Sequence, residues 1–312
     1  MMNSNPVVAV DLGGTNLRAA KIDHNGRILK RAKIPTPSGA TNPTILVKAI
    51  LNSIRECAGN DNGIEAVAVV VPGSIDVRGE IVVKAPHLSC LNGFGLKQSL
   101  AGELGVKVIL ENDANAAAVG ENWLGGAQGC HSVVCLTLGT GIGAGIILNG
   151  KLWRGADGSA GEIGHTTVEP SSTLKCECGN NGCLELFTSA TGITRMAKAE
   201  LALHQDSVLQ NHTLSAQTIY EAALQGDALA EVIFKTVGTY LGVAIANLMN
   251  VLNPEIIVIG GGVANAWSIF ESTMREEVQR RAFSSTTRIV AAACGDDAGV
   301  LGAARLAMSD KL

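Results

Sequence analysis

Apolar runs alternate with amphipathic stretches along the chain, and one strand-turn-strand pattern occurs twice. Residues 7–28 (VVAVDLGGTNLRAAKIDHNGRI) and 133–152 (VVCLTLGTGIGAGIILNGKL) each read as an apolar strand, a Gly/Thr turn and a second apolar strand. Each ends in an Asn-Gly dipeptide, Asn25-Gly26 or Asn149-Gly150, which is a strong hairpin signal. Between the copies, helical periodicity marks residues 42–57 and 95–104, and apolar runs mark strands 66–71 and 107–110. A helix over 114–124 follows Asp113. The second half predicts helices near 189–203, 215–224 and 228–252, then a strand 255–259 running into Gly260-Gly261-Gly262. A helix near 267–280, a strand 288–293 and a terminal helix near 299–308 complete the pattern. This alternation predicts an α/β fold, and the hairpins make its sheets mixed. Duplication at about half the chain length predicts two related domains. The boundary is expected near Asp113: a small N-terminal domain of 1–113, joined by the C-terminal helix at about 299–312, and a larger domain of 114–298.

Three groups of residues carry chemistry. The first is the pair of glycine turns, Asp11-Leu12-Gly13-Gly14-Thr15 and Leu138-Gly139-Thr140-Gly141, each after an apolar strand. Glycine lets backbone N–H groups approach a phosphate, and threonine adds a hydroxyl donor, although tight hairpin turns use glycine too. Asp11 at a strand end is suited to hold Mg²⁺ through water. The Gly260-Gly261-Gly262 turn, between a strand and a helix, allows close approach of an adenosine. The second group is Asn112-Asp113 at a strand-to-helix junction. There an aspartate is either a helix cap or a general base for a hydroxyl, and Asn112 offers a donor and an acceptor to a polyol.

The third group is His165 with Cys176, Cys178 and Cys183, bracketed by Glu162 and Glu185. Three cysteines and a histidine within so short a run make a four-ligand set of the zinc type, expected to be structural. Gly179-Asn180-Asn181-Gly182 supplies the turn between the sulfurs. The other five cysteines are scattered and read as packed thiols of a cytoplasmic protein. No signal peptide precedes the first strand.

Composition narrows the picture. Of 312 residues, 17% are charged and the net charge is −4, which disfavours nucleic acid as a partner. Phosphate must then be held by backbone N–H groups, helix ends and metal. The uncharged run 236–254 is long enough to span a bilayer, but Asn247, Asn250 and Asn253 make a buried core helix the expectation, with no membrane association.

DLGGTNLR, ENDANAAA, LTLGTGIGAG, GEIGH, CECGNNGCLE and VIGGGVA, taken together and in this order, resemble the ROK family of sugar kinases of the actin-like ATPase fold. LFTSATGI resembles its glucokinases in particular. The resemblance implies two domains closing over a cleft, with ATP and Mg²⁺ on one side and a hexose on the other, in a cytoplasmic homodimer. It implies that Asp113 is the base acting on the sugar 6-hydroxyl, and that Asn112, Glu162, His165 and Glu185 bind the sugar. It places Asp11, Gly13, Gly14, Thr15, Thr140, Gly141, Gly260 and Gly261 at ATP and Mg²⁺. His165 would give one ring nitrogen to zinc and donate from the other. Glucose is the first expected substrate, with N-acetylmannosamine or N-acetylglucosamine as the alternative. The chain has Ala85-Pro86-His87-Leu88 where many ROK glucokinases have A-P-N-L, beside the sugar pocket. A non-catalytic sugar-sensing regulator is the remoter reading, disfavoured because only ten residues precede Asp11.

Overall fold

The computed structural model describes residues 5–37, 42–59, 63–86, 88–284 and 286–309. His87 lies outside them. The chain forms two compact units, the first comprising Met1–Val133, Gly145–Gly161 and Ala293–Leu312, the second Val134–Ala144 and Glu162–Ala292.

In chain order the first half runs β1 (Val7–Leu12), β2 (Asn16–Ile22), β3 (Ile28–Pro35), α1 (Pro43–Ala58), β4 (Ala66–Val71), β5 (Ser74–Ile75), β6 (Val82–Lys84), α2 (Leu96–Leu104), β7 (Lys107–Asn112) and α3 (Asp113–Leu124). Its sheet has the order β3-β2-β1-β4-β7. The three hairpin strands are antiparallel, and β4 and β7 add in parallel. All six residues of β4 are buried, as its unbroken AVAVVV run requires of a central strand covered on both faces. Edge strand β3 instead exposes Lys30, Arg31 and Lys33, charges that discourage pairing with another chain. Helix α1 begins where the sequence signals it: Asn42 caps the Thr44 N–H, Pro43 occupies the first turn, and Leu46, Ile50 and Ile54 make the buried stripe.

The second half runs β8 (Val133–Leu138), β9 (Ile142–Leu148), β10 (Lys151–Leu152), α4 (Glu185–Thr188), α5 (Ala190–Glu200), α6 (Ala216–Leu224), α7 (Ala228–Leu252), β11 (Ile256–Gly260), α8 (Trp267–Arg281), β12 (Arg288–Ala291) and α9 (Ala298–Met308). The second sheet has the order β10-β9-β8-β11-β12, which repeats the first strand for strand. The duplication seen in the sequence is thus a duplication of topology. Asn149 and Gly150 both have positive φ, 52° and 74°, as a tight Asn-Gly turn demands. Helix α7 is long and apolar enough to cross a membrane, yet its apolar face packs on α8. Gly238 and Gly242 bring the backbones together: a Cβ on either would lie 2.5–2.6 Å from the carbonyl of Phe270 or Met274.

Two features were not legible in the chain. The β5–β6 hairpin is too short to show periodicity, and β7 runs two residues past the expected Leu110 to take in Glu111 and Asn112.

Candidate functional site

In the first unit, Asp11 lies near the end of β1, paired with Arg18 of β2. Burial, and then the nearby charge of Asp113, push its carboxyl up from 3.8 to about 6; Arg18 opposes this and Asp296 adds to it. Beyond Asp11 the turn is tight. Gly13 N–H donates to Asn16 O at 3.0 Å, and a Cβ on Gly13 would lie 2.8 Å from that oxygen. Thr36 braces the turn, its hydroxyl donating to Gly13 O and its N–H to Thr15 O. Gly14 and Thr15 are left exposed at the tip.

At the β7–α3 junction the cap is Asn112, and Asp113 is the first residue of the helix. Asn112 Oδ1 accepts from the N–H groups of Ala114 and Asn115, at 2.9 and 3.0 Å. Its amide donates to Gly73 O at 2.9 Å and to Asp113 Oδ1 at 3.0 Å. The usual capacity of a carboxamide is therefore filled within the chain. Asp113 Oδ1 also accepts from Ala114 N–H at 2.9 Å, so one carboxylate oxygen of an exposed aspartate is pinned by two donors. Gly73 is itself tightly seated, since a Cβ there would meet Lys84 O at 2.1 Å.

Beneath this junction lies a pair that sequence reasoning did not find. Glu111 is 5% exposed, and its Oε2 accepts from Arg154 Nε and Nη2 at 3.0 and 2.6 Å. Its Oε1 accepts from Asn112 N–H and Asn115 Nδ2, both at 3.0 Å. Nothing in the sequence links two residues 43 positions apart.

In the second unit, the turn at Gly139-Thr140-Gly141 is gripped by the α4–α5 elbow. Glu185 Oε2 accepts from Ile142 N–H at 2.8 Å, Ala190 N–H donates to Gly139 O at 2.8 Å, and the Thr191 hydroxyl donates to Thr140 O at 3.0 Å. A Cβ on Gly141 would lie 2.4 Å from Glu185 Oε2, so glycine is needed for this approach.

Two residues before Glu185 is Cys183, the last of the expected cluster. The ligand atoms of His165, Cys176, Cys178 and Cys183 all lie within 4.8 Å of one another. Tetrahedral zinc, with bonds of about 2.3 Å to sulfur and about 2.0 Å to nitrogen, requires S···S edges of about 3.8 Å and S···N edges of about 3.5 Å. Cys178 Sγ and Cys183 Sγ are 3.7 Å apart, and Cys176 Sγ is 3.5 Å from His165 Nδ1. The donor set therefore fits zinc through Nδ1, with His165 Nε2 directed to Glu162 Oε2, 3.8 Å away. Gly179 and Gly182, with φ of 95° and 64°, make the turn between the sulfurs. Burial and the neighbouring thiols push Cys183 up to about 12, so a cation must displace a firmly held proton there.

The glycine run after β11 contributes to a cavity through its third member. Gly260 is buried and Gly261 exposed, and both need glycine: a Cβ would lie 2.9 Å from the Ala292 side chain on the first or 2.4 Å from Leu138 O on the second. The residues of that turn lining a cavity of about 270 Å³ are Gly262, Val263, Asn265 and Ala266, joined by Gly139 and Thr140. Ala190, Ala216, Gln217, Tyr220 and Phe234 form the remaining wall, with the two rings edge to face at 6.2 Å. From the sequence, Tyr220 and Phe234 are placed only within the expected helices near 215–224 and 228–252.

The family profile of the ROK family matches residues 7–310 of this chain. A glucokinase of Halalkalibacterium halodurans is 37% identical over 95% of this chain and 92% of its own length. A glucokinase of Thermotoga maritima is 37% identical over 96% of both. Among solved structures, a ROK family glucokinase from Streptomyces griseus in complex with glucose and AMPPNP superposes with a TM-score of 0.83. It is 34% identical, covering 97% of this chain and 99% of that one.

Proposed function

The chain belongs to the ROK family, and from that membership we propose that it is an ATP-dependent glucokinase, transferring the γ-phosphoryl group of ATP to the 6-hydroxyl of glucose. Its fold is the actin-like ATPase fold of the glucokinases it matches. The observation that carries the reading is the pinned carboxylate of Asp113, set in a chain 37% identical to glucokinases over nearly its full length.

The carboxylate of Asp113, oriented at Oδ1 by Asn112 and Ala114, takes the proton of the sugar hydroxyl as it attacks phosphorus. Asn112, its amide filled, orients that base and binds sugar only by exchanging one of its present bonds. Glu162, His165 and Glu185 recognise the sugar hydroxyls through directional hydrogen bonds, with His165 donating from Nε2. The backbone N–H groups of the two glycine turns hold the phosphates, and Gly14, Thr15, Thr140 and Gly141 are the residues that support this. Adenine fits the apolar cavity beside Tyr220 and Phe234.

Mg²⁺, placed at Asp11 through water, would neutralise charge on the β- and γ-phosphates. Zinc at His165, Cys176, Cys178 and Cys183 would fix the histidine tautomer and brace the hairpin. A homodimer, expected from the same family, is supported by Leu203, Val251 and Phe283, which are 79%, 80% and 99% exposed in a single chain. A cytoplasmic setting follows from the need for ATP.

The test is ADP release with Mg²⁺-ATP across glucose, mannose, fructose, allose, N-acetylglucosamine and N-acetylmannosamine. Glucose is expected to give the highest kcat/KM. Higher turnover of an N-acetylhexosamine would reassign the substrate, and sugar binding without any turnover would replace the kinase by a sensor.

A further inference from the structure

We infer that Arg154 is a positioning residue for phosphoryl transfer, holding the base Asp113 in register through the buried carboxylate of Glu111. The inference rests on the kinase reading above and extends it to a residue outside those proposed to bind either substrate.

Each link is a hydrogen bond. Arg154 places Nε and Nη2 on Glu111 Oε2, at 3.0 and 2.6 Å. Glu111 uses Oε1 to hold the N–H of Asn112 and the amide of Asn115. Asn112 then caps α3 and donates to Asp113 Oδ1. The side chain of Glu111 is 7% exposed, and a carboxylate so placed needs its cation. Without Arg154, the buried Glu111 carboxylate loses its cation and swings towards solvent. That movement withdraws Oε1 from the Asn112 N–H and the Asn115 amide, and so loosens the first turn of α3, which is where the base sits. Misplacing a reacting group by about 1 Å costs on the order of 10²-fold in rate.

A cavity of about 260 Å³ borders Glu111, Asn112, Asn115 and Arg154, and Arg154 remains 35% exposed. A free guanidinium ion therefore has a route to the space that truncating Arg154 would leave. Lysine at 154 would restore the charge but only one directed contact.

The test uses the full chain, with wild type, Arg154→Ala and Arg154→Lys compared by ADP release, after thermal melting establishes that each is folded. Arg154→Ala is expected to lose about 10- to 100-fold in kcat while KM for glucose and for Mg²⁺-ATP stays within about threefold. Arg154→Lys should fall between the two. Guanidinium chloride at tens of millimolar should restore much of the alanine variant's kcat, where tetramethylammonium chloride does not. A stabilising role alone would lower the melting temperature but spare the kcat of the folded variant. A folded alanine variant with wild-type kcat, a loss confined to KM, or a loss that guanidinium leaves untouched overturns the inference. If the alanine variant does not fold, wild-type kcat in Arg154→Lys overturns it instead. An inactive wild type in the same assay would count against the kinase reading, whereas an active wild type with an unaffected variant counts only against Arg154.

Discussion

Glu185 Oε2 accepts a 2.8 Å hydrogen bond from the backbone N–H of Ile142, which ties the helix leaving the cysteine hairpin to the second glycine turn. One carboxylate thus serves a residue proposed for sugar recognition and the turn proposed for phosphate. Glu185→Ala removes both roles, whereas Glu185→Gln keeps an acceptor for Ile142. A hydrogen bond to a charged group is worth about 1.5–3 kcal/mol, or roughly 10- to 100-fold in affinity. The alanine variant should therefore raise KM for glucose and for Mg²⁺-ATP together, and the glutamine variant chiefly that for glucose. Steady-state kinetics with each substrate varied in turn checks this. An alanine variant with unchanged KM for Mg²⁺-ATP would break the link.

The cysteine cluster predicts one zinc ion per chain by elemental analysis, lost in Cys178→Ser. Cys178 is the most exposed ligand, so its serine variant removes a metal contact without carving into the core. Because Glu185 follows Cys183 by two residues, the variant should also weaken glucose binding. Cys90→Ser, outside the cluster, should keep both metal and affinity. A zinc-free Cys178→Ser with normal glucose affinity would reduce the cluster to a staple.

How far these relationships could be seen in the chain depends on their span. Both hairpins were legible because Asn25-Gly26 and Asn149-Gly150 report a local backbone requirement. Helix starts at Asn42, Ser189, Ser215 and Asp227 were legible for the same reason, each side chain accepting from an N–H two or three residues on. The cysteines announced themselves by spacing. Glu111 with Arg154, and Glu185 with Ile142, are pairs 43 residues apart in each case, made only by tertiary folding. Tyr220 and Phe234 fell inside expected helices without being singled out, because a cavity wall and a packed core use the same apolar positions. Asn112 showed its position but not its bonds: the four it makes, to Gly73, Asp113, Ala114 and Asn115, exist only in the folded junction.

Asp113→Asn should abolish turnover and largely spare sugar binding. The amide keeps an acceptor for Asn112 and Ala114 but cannot take a proton, and general-base catalysis contributes about 10²- to 10⁴-fold. Single-turnover ADP formation, with calorimetric titration of glucose, separates the two effects. Appreciable turnover in the variant would remove Asp113 from the role of base.

Asp11 makes a prediction about stability against pH. Its folded carboxyl sits at about 6 rather than 3.8, mainly through burial and then through the charge of Asp113. The folded chain therefore binds this proton more tightly than the unfolded chain, and ionisation destabilises it. The penalty is absent below 3.8, grows as pH rises towards 6 and is full above that. Without nucleotide or Mg²⁺, Asp11→Asn should melt above wild type at about pH 7.5 and converge with it below about pH 4. Differential scanning calorimetry at both values tests the sign. A variant less stable than wild type at the higher pH contradicts the assigned causes.

Helices α3 and α9 touch backbone to backbone, and this contact sets the seat of Asp113. A Cβ on Gly302 would lie 1.7 Å from Ala116 O, and one on Gly120 would lie 2.2 Å from Ala298 O. Carbonyl oxygens in a helix cannot turn aside, so Gly302→Ala must separate the two helices. Overpacking of this kind costs about 1–3 kcal/mol, and at so close an approach the upper end is expected. Gly102, on the exposed side of α2, supplies the contrast, because a Cβ added there would meet nothing within 4 Å. There alanine replaces glycine inside a helix without a clash, and should stabilise by about 0.5–1 kcal/mol. The two variants carry the same chemical change, so denaturant midpoints moving in opposite directions isolate the close approach from helix propensity. Because α3 begins at Asp113, the loss in Gly302→Ala should extend to kcat, while Gly102→Ala keeps wild-type activity. Equal stability of the two variants would mean that α9 shifts freely, and that the position of the base does not depend on this contact.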